Sequence, residues 1–196
     1  MSKNMKKHFT ALTLIAIFLI AIPLFTAGIN IPKSSDNESS AQKDTELTDM
    51  LAYEYNENYC KEGLKAVAII LNSNYKAGEK AKTLSKKGFL KKHKDGKKIY
   101  SDLKKICKDT KNLCITYKGK AVKPPYYYIT NGACKSEQPY LKAAANPWDL
   151  LSADYTYDAK PGVSFYSINE MCKSGMSWKE SLNRYFKNVK ITAVKK

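Results

Sequence analysis

The sequence predicts an α+β fold, with a single domain that follows one N-terminal membrane helix. Hydrophobic residues first recur at helical spacing, over roughly residues 47–107. An alternating strand pattern then appears at Leu113, Ile115 and Tyr117, and further helical patterns precede a last strand at Val189–Ala193. Helices and strands that form separate groups along a chain are typical of α+β proteins.

The first residues predict the side of the membrane on which this domain lies. Residues 11–29 are almost entirely apolar, which is long enough to span a bilayer, and three lysines precede them. Lysines on the short N-terminal side favour a cytoplasmic N-terminus at 1–10, so we expect a single-pass cell-membrane anchor with the rest of the chain extracytoplasmic. A cleaved signal peptide is the alternative, because Thr26–Gly28 offers small residues to a peptidase.

Residues 30–45 are polar and show no periodicity, so we expect a short linker there. The remaining stretch, 46–196, is long enough for one domain with a hydrophobic core of its own. It contains no internal repeat.

The first helix of the domain places a carboxylate beside apolar residues. Leu47, Met50, Leu51 and Glu54 fall at positions i, i+3, i+4 and i+7. A carboxyl group that is partly removed from water has a raised pKa, so Glu54 is a candidate general acid. The alternative, a glutamate at a helix end that turns outward to solvent, is equally compatible with this spacing.

Periodicity and capping signals predict the other elements. Two more helical stripes precede the first strand: Leu64, Val67, Ala68, Leu71 and Tyr75, then Ile99, Leu103, Ile106 and Cys107. A turn at Lys118–Gly119 predicts a hairpin whose second arm runs into Tyr126–Tyr128. Gly175 is expected to end a helix, and Ser177 with Glu180 forms a capping box that begins the next. The inner face of that last helix consists of Trp178, Leu182 and Tyr185.

The net charge of +16 is carried almost entirely by lysine, and eight lysines crowd between Lys82 and Lys98. A basic surface attracts polyanions. Nucleic acid is not the expected partner, because the domain is extracytoplasmic and the chain has a single arginine, Arg184. Anionic wall polymers, the outer face of a membrane, or plain solvation of the surface remain as explanations.

The five cysteines do not have the spacing of a zinc site, and no cofactor motif is present. An odd number of cysteines cannot all pair within the chain. Cys107 and Cys114 lie close enough in sequence for a disulfide, but small buried thiols are the simpler expectation.

Glu54 is followed, after seven residues, by Glu62–Ala66, which reads EGLKA. This spacing resembles the opening signature of the SpoIID/LytB family of sporulation and cell-wall proteins, which includes the amidase enhancers. Later segments resemble further motifs of that family in the same order: Ile115–Ala121 (ITYKGKA), Pro125–Gly132 (PYYYITNG), Pro139–Ala143 (PYLKA), Asn146–Asp149 (NPWD) and Gly162–Phe186. Together they cover most of residues 46–196.

The resemblance implies a lytic transglycosylase that cleaves peptidoglycan glycan strands without a metal or another cofactor. Glu54 matches the catalytic glutamate of the family, with Glu57 and Glu62 as rivals, and Lys142 matches the lysine of its PYLK motif. The residues at which it implies contact with the sugars are Asn72, Tyr126, Tyr127, Thr130, Asn131 and Tyr140. Partners implied are glycan strands, the membrane, and other sporulation proteins or wall hydrolases.

Three departures from the family pattern leave a second function open. Asn72 stands where the family has an arginine, and Ala159 and Phe165 replace a histidine and a glutamine. A non-catalytic relative that binds glycan or regulates a partner hydrolase, in the manner of an amidase enhancer, is therefore the alternative to the enzyme.

Overall fold

The computed structural model describes residues 35–155 and 160–193, with side chains over 45–155 and 160–192. Residues 41–155 and 160–193 belong to one compact unit. The predicted anchor at 11–29 lies outside the described residues, and so does Ala159. Among residues 35–155 and 160–193, no helix combines the length and the apolar character that crossing a bilayer requires.

The described chain is a mixture of helices and short strands, which confirms the predicted α+β class. The helices are α1 (Ser35–Glu54), α2 (Lys61–Lys76), α3 (Lys86–Lys92), α4 (Gly96–Thr110), α5 (Pro147–Leu150), α6 (Phe165–Lys173) and α7 (Trp178–Tyr185). The strands are β1 (Leu113–Tyr117), β2 (Lys120–Ala121), β3 (Tyr126–Tyr127), β4 (Ala133–Cys134), β5 (Ala144–Ala145), β6 (Val163–Ser164) and β7 (Lys190–Ala193).

Helix α1 begins at Ser35, inside the stretch 30–45 that the sequence predicts to be a linker. Extending an existing helix costs little compared with nucleating one, since each added residue gains a hydrogen bond. The apolar stripe that starts at Leu47 therefore supports turns of helix whose own composition is polar. The predicted end of the helix at Glu54 agrees with the structure.

Helix α2 is the centre of the domain and packs against β1, α4, α6 and α7. The predicted stripe is buried at Leu64, Val67, Ala68 and Leu71, but burial extends around the helix to Ile69 and Ile70. A helix that is apolar on all sides belongs inside a protein, surrounded by other elements. The sequence pattern identified one face of α2, and the neighbours cover the others.

The C-terminal end of α2 is polar and holds the backbone of the adjacent elements. The Asn72 amide donates to the carbonyls of Lys111 and Leu113, at 2.9 and 2.8 Å. The Ser73 hydroxyl accepts from the backbone N–H of Ile115 at 2.8 Å. Because these buried groups satisfy one another, β1 is fixed in register against the central helix.

Strand β1 is the middle strand of a three-stranded antiparallel sheet ordered β2-β1-β7. Lys118 and Gly119 both have positive φ, 49° and 80°, as a two-residue hairpin turn requires. The second arm of the hairpin ends at Ala121, so the prediction that it runs into Tyr126–Tyr128 was wrong. Two prolines follow Lys123, and proline has no backbone N–H to donate to a neighbouring strand. β3 instead pairs in parallel with β6.

Predicted features of the C-terminal part agree with the structure. The capping box of Ser177 and Glu180 is present, and α6 ends just before Gly175, whose φ is 100°. Leu182 and Tyr185 are fully buried, and Trp178 packs against the core while partly exposed. All five cysteines lie in the described residues and none forms a disulfide.

Truncation of Leu71 to Ala should lower the free energy of unfolding by roughly 2–5 kcal/mol, because the side chain is fully buried at the centre of the domain. Urea unfolding followed by circular dichroism measures this loss. Leu151→Ala is the matched control, since Leu151 is 83% exposed and its truncation should change stability by about 0.5 kcal/mol or less. Similar effects of the two changes would contradict the described core.

Candidate functional site

Glu54 is the last residue of α1 and is half-buried where the chain turns into the loop before α2. Burial raises the pKa of its carboxyl group above the ordinary value of 4.5, and the positive charge of Lys82 opposes this rise. Desolvation is the larger of the two effects. The site therefore favours a protonated Glu54 at a higher pH than an exposed glutamate would allow.

Two tyrosines are close enough to this carboxyl group to be affected by its charge. The negative charge of Glu54 contributes to the raised pKa of Tyr59 and of Tyr126, although burial is the larger cause for both. The pKa of Tyr126 rises to about 12. The Lys82 ammonium lies 5.6 Å from the centre of the Tyr53 ring. Glu54, Lys82, Tyr53, Tyr59 and Tyr126 together are called the Glu54 cluster.

The pairing of two short strands positions Tyr126. Tyr126 lies opposite Val163 in the parallel pair of β3 and β6, and its ring stacks on Phe165 at 4.7 Å. Phe165 therefore supports an aromatic residue of the cluster. A Cβ on Gly162 would lie 3.0 Å from the Tyr127 ring and from the Pro125 carbonyl, so glycine permits the two strands to approach.

Asn169 fixes the loop that follows Glu54. Its side-chain oxygen accepts from the backbone N–H of Cys60 at 2.8 Å, and its amide donates to the carbonyl of Asn58 at 3.1 Å. Asn56 donates to the Tyr128 hydroxyl at 3.2 Å. These contacts tie the loop to α6 and to the end of β3, so the loop before α2 is held on two sides.

Tyr59, in the same loop, has a buried hydroxyl group without a hydrogen-bond partner in the described part of the chain. Its ring lies 6.4 Å from that of Tyr128. Burial raises the pKa of Tyr59, with further contributions from Tyr128, Glu54 and Asp149. The negative charge of Glu54 therefore acts on Tyr59 over a distance, without a hydrogen bond between the two side chains.

Asp149 is fully buried and accepts four hydrogen bonds. One carboxylate oxygen accepts from both the backbone N–H and the hydroxyl of Thr130. The other accepts from the hydroxyls of Ser164 and Ser167, each at 2.6 Å. A buried carboxylate requires such compensation, and among the described residues it comes from these hydrogen-bond donors and not from an ion pair.

Asn146 extends this buried polar network to the last helix. Its amide donates to the Thr130 hydroxyl at 2.8 Å, and its side-chain oxygen accepts from the Tyr185 hydroxyl at 2.7 Å. The network thereby joins the NPWD segment, the loop after β3, the start of α6 and the end of α7. Thr130 uses its hydroxyl within the protein, which leaves it no free proton to donate to a sugar.

The other predicted site residues occupy varied positions. The Lys142 ammonium donates to the carbonyl of Asn183 at 2.5 Å, and the Tyr140 hydroxyl donates to the carbonyl of Lys123 at 3.0 Å. Asn72 is buried and engaged as described for α2. The side-chain oxygen of Asn131 is buried without a partner among the described residues. Of the residues predicted for this site, Glu54 and Tyr126 influence each other electrostatically.

The Glu54 cluster combines a proton donor, one cation and aromatic surfaces. Such a set can protonate a leaving oxygen and stack on sugar rings. Within residues 45–155 and 160–192, no group of three or more His, Cys, Asp or Glu side chains has the arrangement of a metal site.

Sequence reasoning missed Tyr59, Lys82 and the role of Asp149 in this region. Tyr59 lies between Glu54 and the EGLKA segment, so its place in a turn near the carboxylate was a usable signal. Lys82 is one of eight lysines between residues 82 and 98, and the sequence does not distinguish it from the others. Asp149 is the last residue of the NPWD segment, but only the fold shows which hydrogen-bond donors contact its carboxylate.

No family model matches the chain, and no curated protein matches it. The function must therefore be inferred from the residues of the site and from the quoted motifs.

Replacement of Asp149 by Asn should lower the free energy of unfolding by roughly 2–4 kcal/mol. Asn has the same shape as Asp, but its NH₂ group replaces one carboxylate oxygen. The two hydrogen-bond donors that face this oxygen in the wild type then have no acceptor. Urea unfolding at neutral pH measures the loss. Asp109→Asn is the matched control, because that carboxylate is exposed on α4. An equally small effect of both changes would contradict the network.

Replacement of Glu54 by Gln should stabilise the protein increasingly as the pH rises. The pKa of Glu54 is raised in the folded state, so above the unfolded value the folded chain binds more protons. Wild-type stability therefore declines as the pH rises through the folded pKa, and Gln has no proton to lose. We expect the variant to gain on the wild type as the pH rises from the ordinary glutamate value of 4.5 through the raised pKa of the folded state.

Urea unfolding at several pH values measures this difference. Glu57→Gln controls for the loss of one negative charge, since Glu57 is exposed in the same loop. A difference between wild type and Glu54→Gln that stays constant with pH would contradict the buried carboxyl group.

Proposed function

We propose that this protein is a membrane-anchored lytic transglycosylase that cleaves peptidoglycan glycan strands, with Glu54 as the general acid and base. The observation that carries the proposal is a half-buried carboxyl group at the end of α1 whose pKa is raised by burial and whose charge contributes to the raised pKa of Tyr59 and of Tyr126. The resemblance to the SpoIID/LytB motifs supplies the substrate class and assigns the catalytic role to the same residue.

The reaction requires only one acid/base group. Protonated Glu54 donates its proton to the glycosidic oxygen between N-acetylmuramic acid and N-acetylglucosamine, and the bond from that oxygen to the anomeric carbon breaks. The 6-hydroxyl of the muramic acid attacks the anomeric carbon, and its proton returns to Glu54. The product carries a 1,6-anhydro ring, and no water is consumed, so a second catalytic carboxylate is not needed.

The surroundings of Glu54 suit both protonation states of this cycle. Burial favours the neutral acid that donates first, while Lys82 stabilises the carboxylate that remains after donation. Tyr126, whose pKa the charge of Glu54 raises, offers a partly exposed aromatic surface in the same cluster.

The cellular setting is part of the proposal. The apolar run at 11–29 would hold the domain at the outer face of the cell membrane, next to the wall. The resemblance associates the chain with sporulation and with other wall hydrolases as partners. Glycan strands stripped of their stem peptides are the expected substrate.

Glu54→Gln should reduce formation of 1,6-anhydromuramic ends by about 100-fold or more, because Gln cannot donate and recover a proton. The full chain in a nonionic detergent is incubated with denuded glycan strands, and the products are analysed by mass spectrometry. Glu57→Gln serves as the matched control and should retain activity. Equal activity of wild type and Glu54→Gln would contradict the assignment of Glu54.

A second candidate function is glycan binding or hydrolase regulation without catalysis. Two observations favour it: the Lys142 ammonium binds the Asn183 carbonyl, and the Asn72 amide binds backbone carbonyls. Neither residue is then available as the additional polar partner that the family motif implies. Wild type and Glu54→Gln that both bind glycan strands, with no anhydro product from either, would establish this second function.

A further inference from the structure

A cationic cavity lies between α1, the start of α3 and the outer face of α4. Its volume is about 580 Å³, and four of its lining residues are Lys86, Lys87, Lys97 and Lys104. Cavities of this size commonly hold small ligands. Glu54 is not among the residues that line it, so this cavity is separate from the proposed catalytic site.

The lysines of α4 face the cavity for a geometric reason. Lys97, Ser101 and Lys104 follow one another at i, i+4 and i+7, which brings them onto one side of the helix. The opposite side of α4 carries the buried Leu103 and Ile106. The amphipathic pattern that anchors α4 in the core therefore also aligns two ammonium groups along the cavity wall.

The positive charges of this cavity are not matched by ion pairs in the described part of the chain. None of the four lysines forms an ion pair there, although short-range pairs such as Lys65 with Glu62 occur elsewhere. Asp49 is the single carboxylate among the described lining residues, and it accepts a hydrogen bond from the Tyr100 hydroxyl at 2.6 Å. Four like charges around one space repel one another, and a bound anion relieves that repulsion.

The side chains in the lining suit phosphate oxygens. Ammonium groups bind phosphate as point charges, and the hydroxyls of Ser85 and Ser101 add donors without charge. The Lys86 ammonium lies 6.0 Å from the centre of the Tyr100 ring, which keeps it over the cavity. The volume exceeds that of a single phosphate group, so several neighbouring phosphates or a phosphodiester segment fit.

We infer that this cavity binds the phosphate groups of an anionic ligand that carries more than one negative charge. Two sources of the same chemistry are a soluble phosphodiester polymer of the wall and the headgroup of an anionic phospholipid. Either would bring the domain to the cell envelope independently of any reaction at Glu54. The inference does not depend on catalysis.

The test compares two variants of the full chain, in a nonionic detergent, by isothermal titration calorimetry. In the cavity variant Lys86, Lys87, Lys97 and Lys104 become Gln. In the control variant four exposed lysines that do not line the cavity become Gln: Lys108, Lys120, Lys179 and Lys190. Both variants lose the same net charge. Thermal unfolding verifies that both remain folded, as expected for changes at exposed side chains.

The soluble probes are tripolyphosphate and poly(glycerol phosphate), and the lipid probe is a short-chain phosphatidylglycerol below its micelle-forming concentration. The cavity variant should bind at least one probe about ten-fold or more weakly than the control, because charge-assisted hydrogen bonds are lost. The probe that wild type binds most tightly identifies the source. Equal weakening in both variants, or no binding of any probe by wild type, would overturn the inference.

Discussion

The burial of one carboxylate, Asp149, is the constraint on which the arrangement of the C-terminal half depends. A charge without water must be matched by donors, and the donors come from Thr130, Ser164 and Ser167. These residues lie in the loop after β3, at the end of β6 and in the first turn of α6. Because each is needed, the three segments cannot move apart without leaving a buried charge unsatisfied.

The position of the candidate site follows from that constraint. Ser164 both donates to Asp149 and caps α6, since its hydroxyl accepts from the backbone N–H of Ser167 at 2.9 Å. The start of α6 therefore has one location relative to β6, and β3 pairs with β6. Tyr126 stacks on Phe165 at that junction, where the charge of Glu54 contributes to its raised pKa. The buried hydrogen bonds of Asp149 thus determine the surroundings of the half-buried Glu54.

The electrostatics of Glu54 show how burial outweighs net charge. The chain carries +16, and a carboxylate among so many lysines would be expected to ionise readily. The pKa of Glu54 is nevertheless raised, because water screens exposed lysines while desolvation acts on the carboxyl group directly. Lys82 opposes the rise without overcoming it. Exposed lysines produce a strong local positive potential where the fold places several of them around one space, as in the cavity beside α4.

The sequence by itself determined the α+β class, the end of α1 at Glu54, the stripe of α2 and the capping box at Ser177, because these features rest on local periodicity and local hydrogen bonds. It also indicated Glu54 as a carboxyl group beside apolar residues. Only the tertiary structure decided that β3 pairs with β6 and not with β1, that Asp149 accepts four hydrogen bonds, and that Lys142 binds a backbone carbonyl. These contacts join residues far apart in the chain, and neither spacing nor composition specifies which distant groups meet.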